Sequence, residues 1–418
     1  MKLTPFFKTK KEVPKDEVAI NAKLLIKGGF IEKIASGVYL FLPLGWRVHQ
    51  KIEKIIREEM NSLGAKEVFL SALQPVSLWK KERIDSMKEI LYQFQDHSGK
   101  KFLLGPTHEE IISILGKNFI KSFRDLPFSL YQIQTKFRDE PRAKSGLLRT
   151  KEFVMKDLYS FHPDENDMER FYQKVKNSYL RIFKRCGLKA LVCEASGGAF
   201  SKEYSHEFMV KTEAGEDKVI FCKNCNFAQN LEISSLKEGQ ICPKCKKEKL
   251  EVAKTIEVGN IFKLKTKFSE MFNVKFIDRD QKEKFVWMAC FGIGIGRLMG
   301  TVVEVCHDDY GIIWPKEIAP FLVHLITLNS KERKIDKKIK EFSKKVYQTF
   351  LKEKIEVLFD ERENSAGEKF FDYELIGCPF RVVISKKTVR KNKVEIRKRK
   401  EKKTKLVSVS QAIKILKS

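Results

Sequence analysis

Between residues 48 and 63 the apolar side chains Val48, Ile52, Ile55, Ile56, Met60 and Leu63 recur at helical spacing, and Gly64 supplies a stop. Residues 67–70 read as the strand that follows. From Phe128 to Arg138 the period changes to two, with Tyr131, Ile133 and Phe137 on one side and Gln132, Gln134 and Arg138 on the other. One face is expected to pack and the other to meet a ligand. A turn-rich link holding Pro141 and Gly146 leads to a second strand-like run at residues 149–161, which predicts an antiparallel hairpin. Residues 168–186 have the pattern of a helix. Residues 289–306 are apolar but interrupted by Arg297, Glu304 and four glycines, which suits a buried strand and helix better than a bilayer span. After a hinge at residues 315–320, a strand (321–327), a helix (335–353) and a strand (355–359) open a separate α/β unit. Val394 and Ile396 alternate within the basic run 390–405, which predicts an exposed hairpin there. No internal repeat is present.

The chain has 418 residues, more than one hydrophobic core usually supports, so a large domain with smaller ones is expected. Its 82 Lys and Arg outnumber 55 Asp and Glu, a formal charge of +27 that favours a polyanionic partner. About half of that surplus falls in residues 331–418, so the nucleic-acid contact is expected chiefly there. The N-terminal residues 1–14 are charged and hold no apolar stretch of signal-peptide length, which predicts a cytoplasmic protein without a membrane segment.

Four of the nine cysteines form Cys222-x-x-Cys225 and, sixteen residues on, Cys242-x-x-Cys245. Two short knuckles at this spacing match a four-thiolate structural zinc ribbon, iron being the other metal that four thiolates suit. Four thiolates leave no open position, so this Zn2+ is expected to support a small fold rather than to catalyse.

Three further groups of residues carry chemistry. The first is Phe137-Arg138-Asp139-Glu140 with Arg149-Thr150-Lys151-Glu152-Phe153, joined far downstream by Phe291-Gly292-Ile293-Gly294-Ile295-Gly296-Arg297. Together these resemble motifs 2 and 3 of the class II aminoacyl-tRNA synthetases. Taken alone the glycine run is weak, since it lacks the spacing of a dinucleotide fingerprint. The second is Gly105-Pro106-Thr107-His108-Glu109-Glu110, similar to the loop that binds proline in the prolyl-tRNA synthetases; Thr107 and Glu110 also have the spacing of a capping box ahead of a helix at 111–123. The third comprises Ser205-His206-Glu207-Phe208 and Met288-Ala289-Cys290-Phe291, which resemble the segments closing the proline pocket. Asp360-Glu361-Arg362 with residues 371–377 is similar to the anticodon-binding domain of the prolyl, threonyl, histidyl and glycyl enzymes. Residues 47–75 resemble motif 1, the dimer element. Ser71, Asn260 and Lys265 depart from the family's usual residues.

The resemblance covers nearly the whole chain and implies an α+β class II catalytic domain, an antiparallel sheet with flanking helices, over residues 1–317. A zinc-ribbon-like insertion would occupy 219–252 and a C-terminal α/β anticodon-binding domain 318–418. It implies a proline–tRNA ligase that uses ATP with Mg2+ and L-proline, charges tRNA(Pro) and works as a homodimer. Arg138 would bridge the amino-acid carboxylate and the α-phosphate, Glu140 contact the adenine side, Phe153 stack on the adenine and Arg297 cover its other face. Arg149 would complete the ATP site, with Arg138 and Arg297 as the catalytic pair. Thr107, Glu109, Arg138, His206 and Cys290 would hold proline. The chemistry suits these residue types, because a carboxylate attacking a phosphate needs fixed cations to offset the charge. The large editing insert common in bacterial-type relatives has no room here, which implies a separate trans-editing deacylase. The alternative is a non-catalytic relative that binds RNA only.

Overall fold

The structure is a computed structural model that describes residues 1–3, 9–10, 12–143, 145–198, 200 and 204–418. Two compact units emerge from its contacts. One is built from residues 36–38 and 52–301, the other from residues 1–35, 39–51 and 302–418.

The first unit is organised on a nine-stranded sheet. In chain order its strands are β1 (Lys66–Glu67), β2 (Phe128–Phe137), β3 (Glu152–His162), β4 (Ala190–Ala195), β5 (Ser205–Lys211), β6 (Asp217–Phe221), β7 (Ala228–Asn230), β8 (Glu251–Lys265) and β9 (Trp287–Gly294). The spatial order is β5-β4-β7-β6-β8-β9-β3-β2-β1, and β5 also pairs with β8. The central pairs β8·β9, β9·β3 and β3·β2 are all antiparallel. The hairpin expected from residues 128–161 therefore forms, with Phe128 opposite Phe161 and Phe137 opposite Glu152. Helix α1 (Glu109–Phe119), α2 (Glu165–Arg185) and α3 (Ile295–Val305) accompany the sheet. Helix α2 begins on an Asp164 cap that accepts from the Asp167 backbone N–H, and it buries Met168, Tyr172, Val175, Tyr179, Ile182 and Phe183.

Two expectations are corrected. The polar row of β2 does not face a ligand throughout, because Gln132 and Lys136 are fully buried. Gln132 Nε2 donates to Asp157 Oδ2 at 2.8 Å and Lys136 Nζ lies 2.8 Å from Asp157 Oδ1, so a carboxylate from β3 supplies the partner that makes burying these groups tolerable. The strand expected at 67–70 pairs regularly only over Lys66–Glu67, since the Leu70 N–H is taken by the Gln132 side chain at 3.0 Å.

In the second unit five strands, β10 (Val323–Thr327), β11 (Val357–Asp360), β12 (Phe380–Ile384), β13 (Val394–Lys398) and β14 (Lys405–Val407), stand in the order β11-β10-β12-β13-β14. The basic run at 390–405 does form a hairpin, β13 pairing antiparallel with β14. Helices α4 (Arg333–Lys352), α5 (Ala366–Ile376) and α6 (Val409–Lys417) complete the alternation. Val323, Leu325, Ile339, Val346, Phe350, Val382 and Leu416 belong to its core. The first residues of the chain join this sheet, Leu3 N donating to Phe359 O and Phe359 N to Met1 O, both at 2.9 Å. Among the described residues no helix is long and apolar enough to cross a membrane.

Candidate active site

Strands β3, β8 and β9 present one face to a cavity of about 260 Å3, joined by Arg138 just past the end of β2. On β3 the alternation places Phe153, Met155, Asp157 and Tyr159 in one row, all lining the cavity. On β9 the facing row is Cys290, Gly292 and Gly294, with Cys290 opposite Tyr159 and Gly292 opposite Asp157. A side chain at Gly292 would touch only Met155 Sδ, at 3.7 Å, so glycine here leaves space above the sheet for a ligand rather than avoiding a clash.

Eight of the residues singled out in the sequence, Thr107, Glu109, Arg138, Glu140, Arg149, Phe153, Cys290 and Arg297, line this one cavity. The Arg138 guanidinium lies 5.3 Å from the Phe153 ring centre and donates from Nη2 to Pro106 O at 3.2 Å. Arg149 lies 3.4 Å from Glu140 and 3.0 Å from Glu216. Arg297 donates from Nε to Leu148 O at 2.8 Å and stands 3.5 Å from Glu257. Burial lowers the pKa of Arg138, and the positive charge of Arg297 adds to the effect. A buried arginine whose charge is disfavoured by a second arginine is a receptacle for a polyanion, which relieves the repulsion.

At the other end Thr107 Oγ1 donates to Glu109 Oε2. The expected capping box does not form. The N-cap of α1 is His108 without a side-chain cap bond, and Glu110 instead accepts from Arg83 Nε at 2.8 Å. A buried cation outcompetes the backbone N–H for this carboxylate because the paired charge is worth more in a dry site. The Cys290 thiol is pushed far up by burial and by Glu109, so it offers a neutral wall.

His206 does not line the cavity. Its Nδ1 is 2.8 Å from Tyr172 Oη, which donates to Ile261 O at 3.1 Å, and burial with Lys176 and Lys263 nearby lowers its pKa. The ring joins β5 to α2 behind the sheet. The sequence reading passed over Asp157, Tyr159 and Glu257. Period two from Phe153 would have found the first two, whereas nothing along the chain marks Glu257 except its place shortly before Gly259.

The four cysteines of the two knuckles converge, their sulfur atoms all within 4.8 Å of one another. Cys222 Sγ and Cys245 Sγ are 3.7 Å apart, as are Cys225 Sγ and Cys242 Sγ. Sulfurs held tetrahedrally at about 2.3 Å from a zinc ion are about 3.8 Å apart, so the donor set fits that ion. The loop around them has only a small core, Ile220, Cys222, Cys242 and Leu250, with partly buried neighbours such as Phe227 and Leu236.

The family description "tRNA synthetase class II core domain (G, H, P, S and T)" matches residues 92–306, and "anticodon binding domain" matches residues 322–418. The proline–tRNA ligase of Caldicellulosiruptor bescii is 32% identical over 558 residues, covering 98% of this chain and 97% of its own length. That of Thermodesulfovibrio yellowstonii is 32% identical over 555 residues with the same coverage. An alignment of 558 positions against a chain of 418 leaves the relative with a long stretch that has no counterpart here. Among solved structures, Giardia lamblia prolyl-tRNA synthetase in complex with prolyl-adenylate superposes with a TM-score of 0.78 at 17% identity, over 94% of this chain and 75% of that one. The Cryptosporidium parvum enzyme complexed with halofuginone and AMPPNP gives 0.78 at 16% identity, over 95% and 76%, which establishes the shared fold. With a class II core over half its length and relatives matched nearly end to end, the chain belongs to the proline–tRNA ligase family of class II aminoacyl-tRNA synthetases.

Proposed function

We propose that the chain activates L-proline with ATP and transfers it to the 3′ end of tRNA(Pro), releasing AMP and pyrophosphate. The observation that carries this reading is the convergence of Arg138, Arg297 and Glu109 on one cavity. Glu109, braced by Thr107, takes the cationic ring amine, while the apolar side of the ring lies against Cys290. Arg138 then spans the proline carboxylate and the α-phosphate, holding the two anions in contact while charge builds on the phosphate. The carboxylate is already ionised, so no general base is needed. Phe153 and Arg297 flank the adenine, Glu140 meets its edge and Arg149 supports the phosphates. At this end burial raises Glu207 to about 8, with Glu257 contributing, so carboxyl groups are crowded. Glu257, the cavity-lining member, suits the Mg2+ that accompanies ATP; that ion supplies further charge neutralisation at the phosphates.

We assign catalysis to residues 1–317, the metal-held ribbon to 219–252 and anticodon recognition to 318–418. Cys222, Cys225, Cys242 and Cys245 would hold a structural Zn2+. The motif 1 segment, where Phe69 is 79% exposed, would meet a second copy in a homodimer. Proline should drive exchange of labelled pyrophosphate into ATP in the presence of Mg2+, and threonine should not. Exchange driven by another amino acid and not by proline would sink the reading.

A pocket shaped for proline excludes the smaller alanine poorly. The purified chain is expected to form alanyl-tRNA(Pro) and to leave it intact, so that a separate deacylase must clear it. Rapid loss of added alanyl-tRNA(Pro) on the enzyme alone would place editing within this chain.

A further inference from the structure

Directly behind the Glu109 carboxylate, and outside the cavity lining, lies Arg83 on the short helix Lys81–Met87. The side chain is boxed by aromatic rings, its guanidinium carbon 5.0 Å from the centre of Phe200, 5.2 Å from Phe268 and 5.9 Å from Trp79. It is 2% exposed, and neither Nη1 nor Nη2 has a hydrogen-bond partner among the described residues. Its Nε donates to Glu110 Oε1 at 2.8 Å, whereas Nη2 stands 3.8 Å from Glu109 Oε2. The cation is therefore bound to one of two adjacent buried carboxylates and held just short of the other. Burial works against its charge, yet Glu110 and Glu109 more than offset this and raise its pKa.

The local charges make sense of this arrangement. Lys136 and Asp157 neutralise one another at 2.8 Å, and Arg83 with Glu110 does the same at 2.8 Å. Among the described residues Glu109 is left with the neutral hydroxyl of Thr107 and the neutral thiol of Cys290, and with no cation within hydrogen-bond distance. Tyr159 and Cys290, which also face this group, are both held neutral by burial. Among the described residues this end of the pocket thus lacks one positive charge, which a substrate ammonium would supply, while Arg138 is available for the substrate carboxylate.

Building on the proline-activation reading, we propose that Glu110 is a specificity-setting positioning residue: by engaging Arg83 it keeps that buried cation from capturing Glu109, so that Glu109 stays available for the amine of proline. Arg83 in turn anchors the Glu110 carboxylate at the start of α1. Neither residue touches substrate. Removing the charge of Glu110 leaves Arg83 buried without a charged partner, and the nearest replacement is Glu109. The substrate amine must then displace an internal cation.

The test is a two-residue cycle in proline-dependent pyrophosphate exchange with the full chain. Glu110→Gln should raise KM for proline by about tenfold or more while changing kcat by less than about threefold, the signature of lost binding shared by ground and transition states. Cyclopentanecarboxylate has the ring and carboxylate but no amine, and its inhibition constant should move by less than about twofold, because only the amine site is blocked. Adding Arg83→Met to Glu110→Gln should bring KM for proline back to within about threefold of the parent, since the competing cation is gone and the buried pair is replaced by neutral groups of similar size. A purely structural role predicts the opposite, with the double variant at least as impaired as the single one. A KM unchanged by Glu110→Gln, or no recovery in the double variant, overturns the proposal. Should Glu110→Gln not fold, the double variant decides alone: a proline KM within about threefold of the parent's supports the assignment, and any larger rise refutes it. Absence of exchange in the parent chain would refute proline activation itself, a separate outcome.

Discussion

Arg138→Met should lower kcat for proline-dependent pyrophosphate exchange by about a thousandfold, the scale expected when a donor aimed at developing negative charge is removed from a dry site. Stability is expected to change little. In the described structure the Arg138 side chain makes only the long bonds of 3.2 and 3.4 Å to Pro106 O and the contact over Phe153, and its charge is disfavoured by burial and by Arg297. A cation kept where its surroundings disfavour it is maintained for a ligand. Arg138→Lys keeps the charge but loses the planar fork that can hold a carboxylate and a phosphate oxygen together, so it should still lose about a hundredfold. Steady-state exchange at saturating proline and ATP, with thermal denaturation as a control for folding, checks both variants. A fall of less than tenfold in Arg138→Met would move the phosphate contact to another residue.

Cys242→Ser should reduce bound zinc from about one ion per chain to almost none and open residues 223–249 to protease, because structural zinc contributes about 10–16 kcal/mol of apparent binding energy in small thiolate folds. Cys242 is fully buried in the small cluster with Ile220 and Leu250, which has too few apolar partners to order the loop unaided. Metal analysis of the purified chain, and the thiolate-to-metal absorption bands of a cobalt-substituted sample, would report the site. Exchange activity should fall only a few-fold in this variant, since none of the four cysteines lines the cavity and the ribbon is joined to it through β8, which carries Glu257 and Asn260 further along. Parent protein that holds no thiolate-bound metal would refute the assignment.

The two arginine motifs and the loop at residues 105–110 could be recognised by their resemblance to the family because each is a local run of residues, and the paired knuckles by a spacing that mirrors their geometry. The β2–β3 hairpin was legible for the same reason, its period of two surviving into the register from Phe128·Phe161 to Phe137·Glu152. Where the reading failed, a distant partner had intervened. Gln132 belongs to a row expected to meet a ligand until Asp157 arrives from the next strand, where it also pairs with Lys136. Thr107 and Glu110 spell a cap until Arg83 takes the carboxylate. His206 sits in a motif of the pocket, yet Tyr172 holds it behind the sheet.

The sequence by itself determined the order of elements through periodicity and, through its resemblance to a family, the class of enzyme and eight of the residues that line the cavity, since both rest on runs of neighbouring residues. Only the tertiary structure decided which buried charges cancel, placing Lys136 on Asp157 and Arg83 on Glu110 while leaving Glu109 without a cation in hydrogen-bond range among the described residues. The reason is physical. Coulomb energy in a dry interior depends on distances of a few ångströms between residues tens of positions apart, and no local pattern encodes those distances.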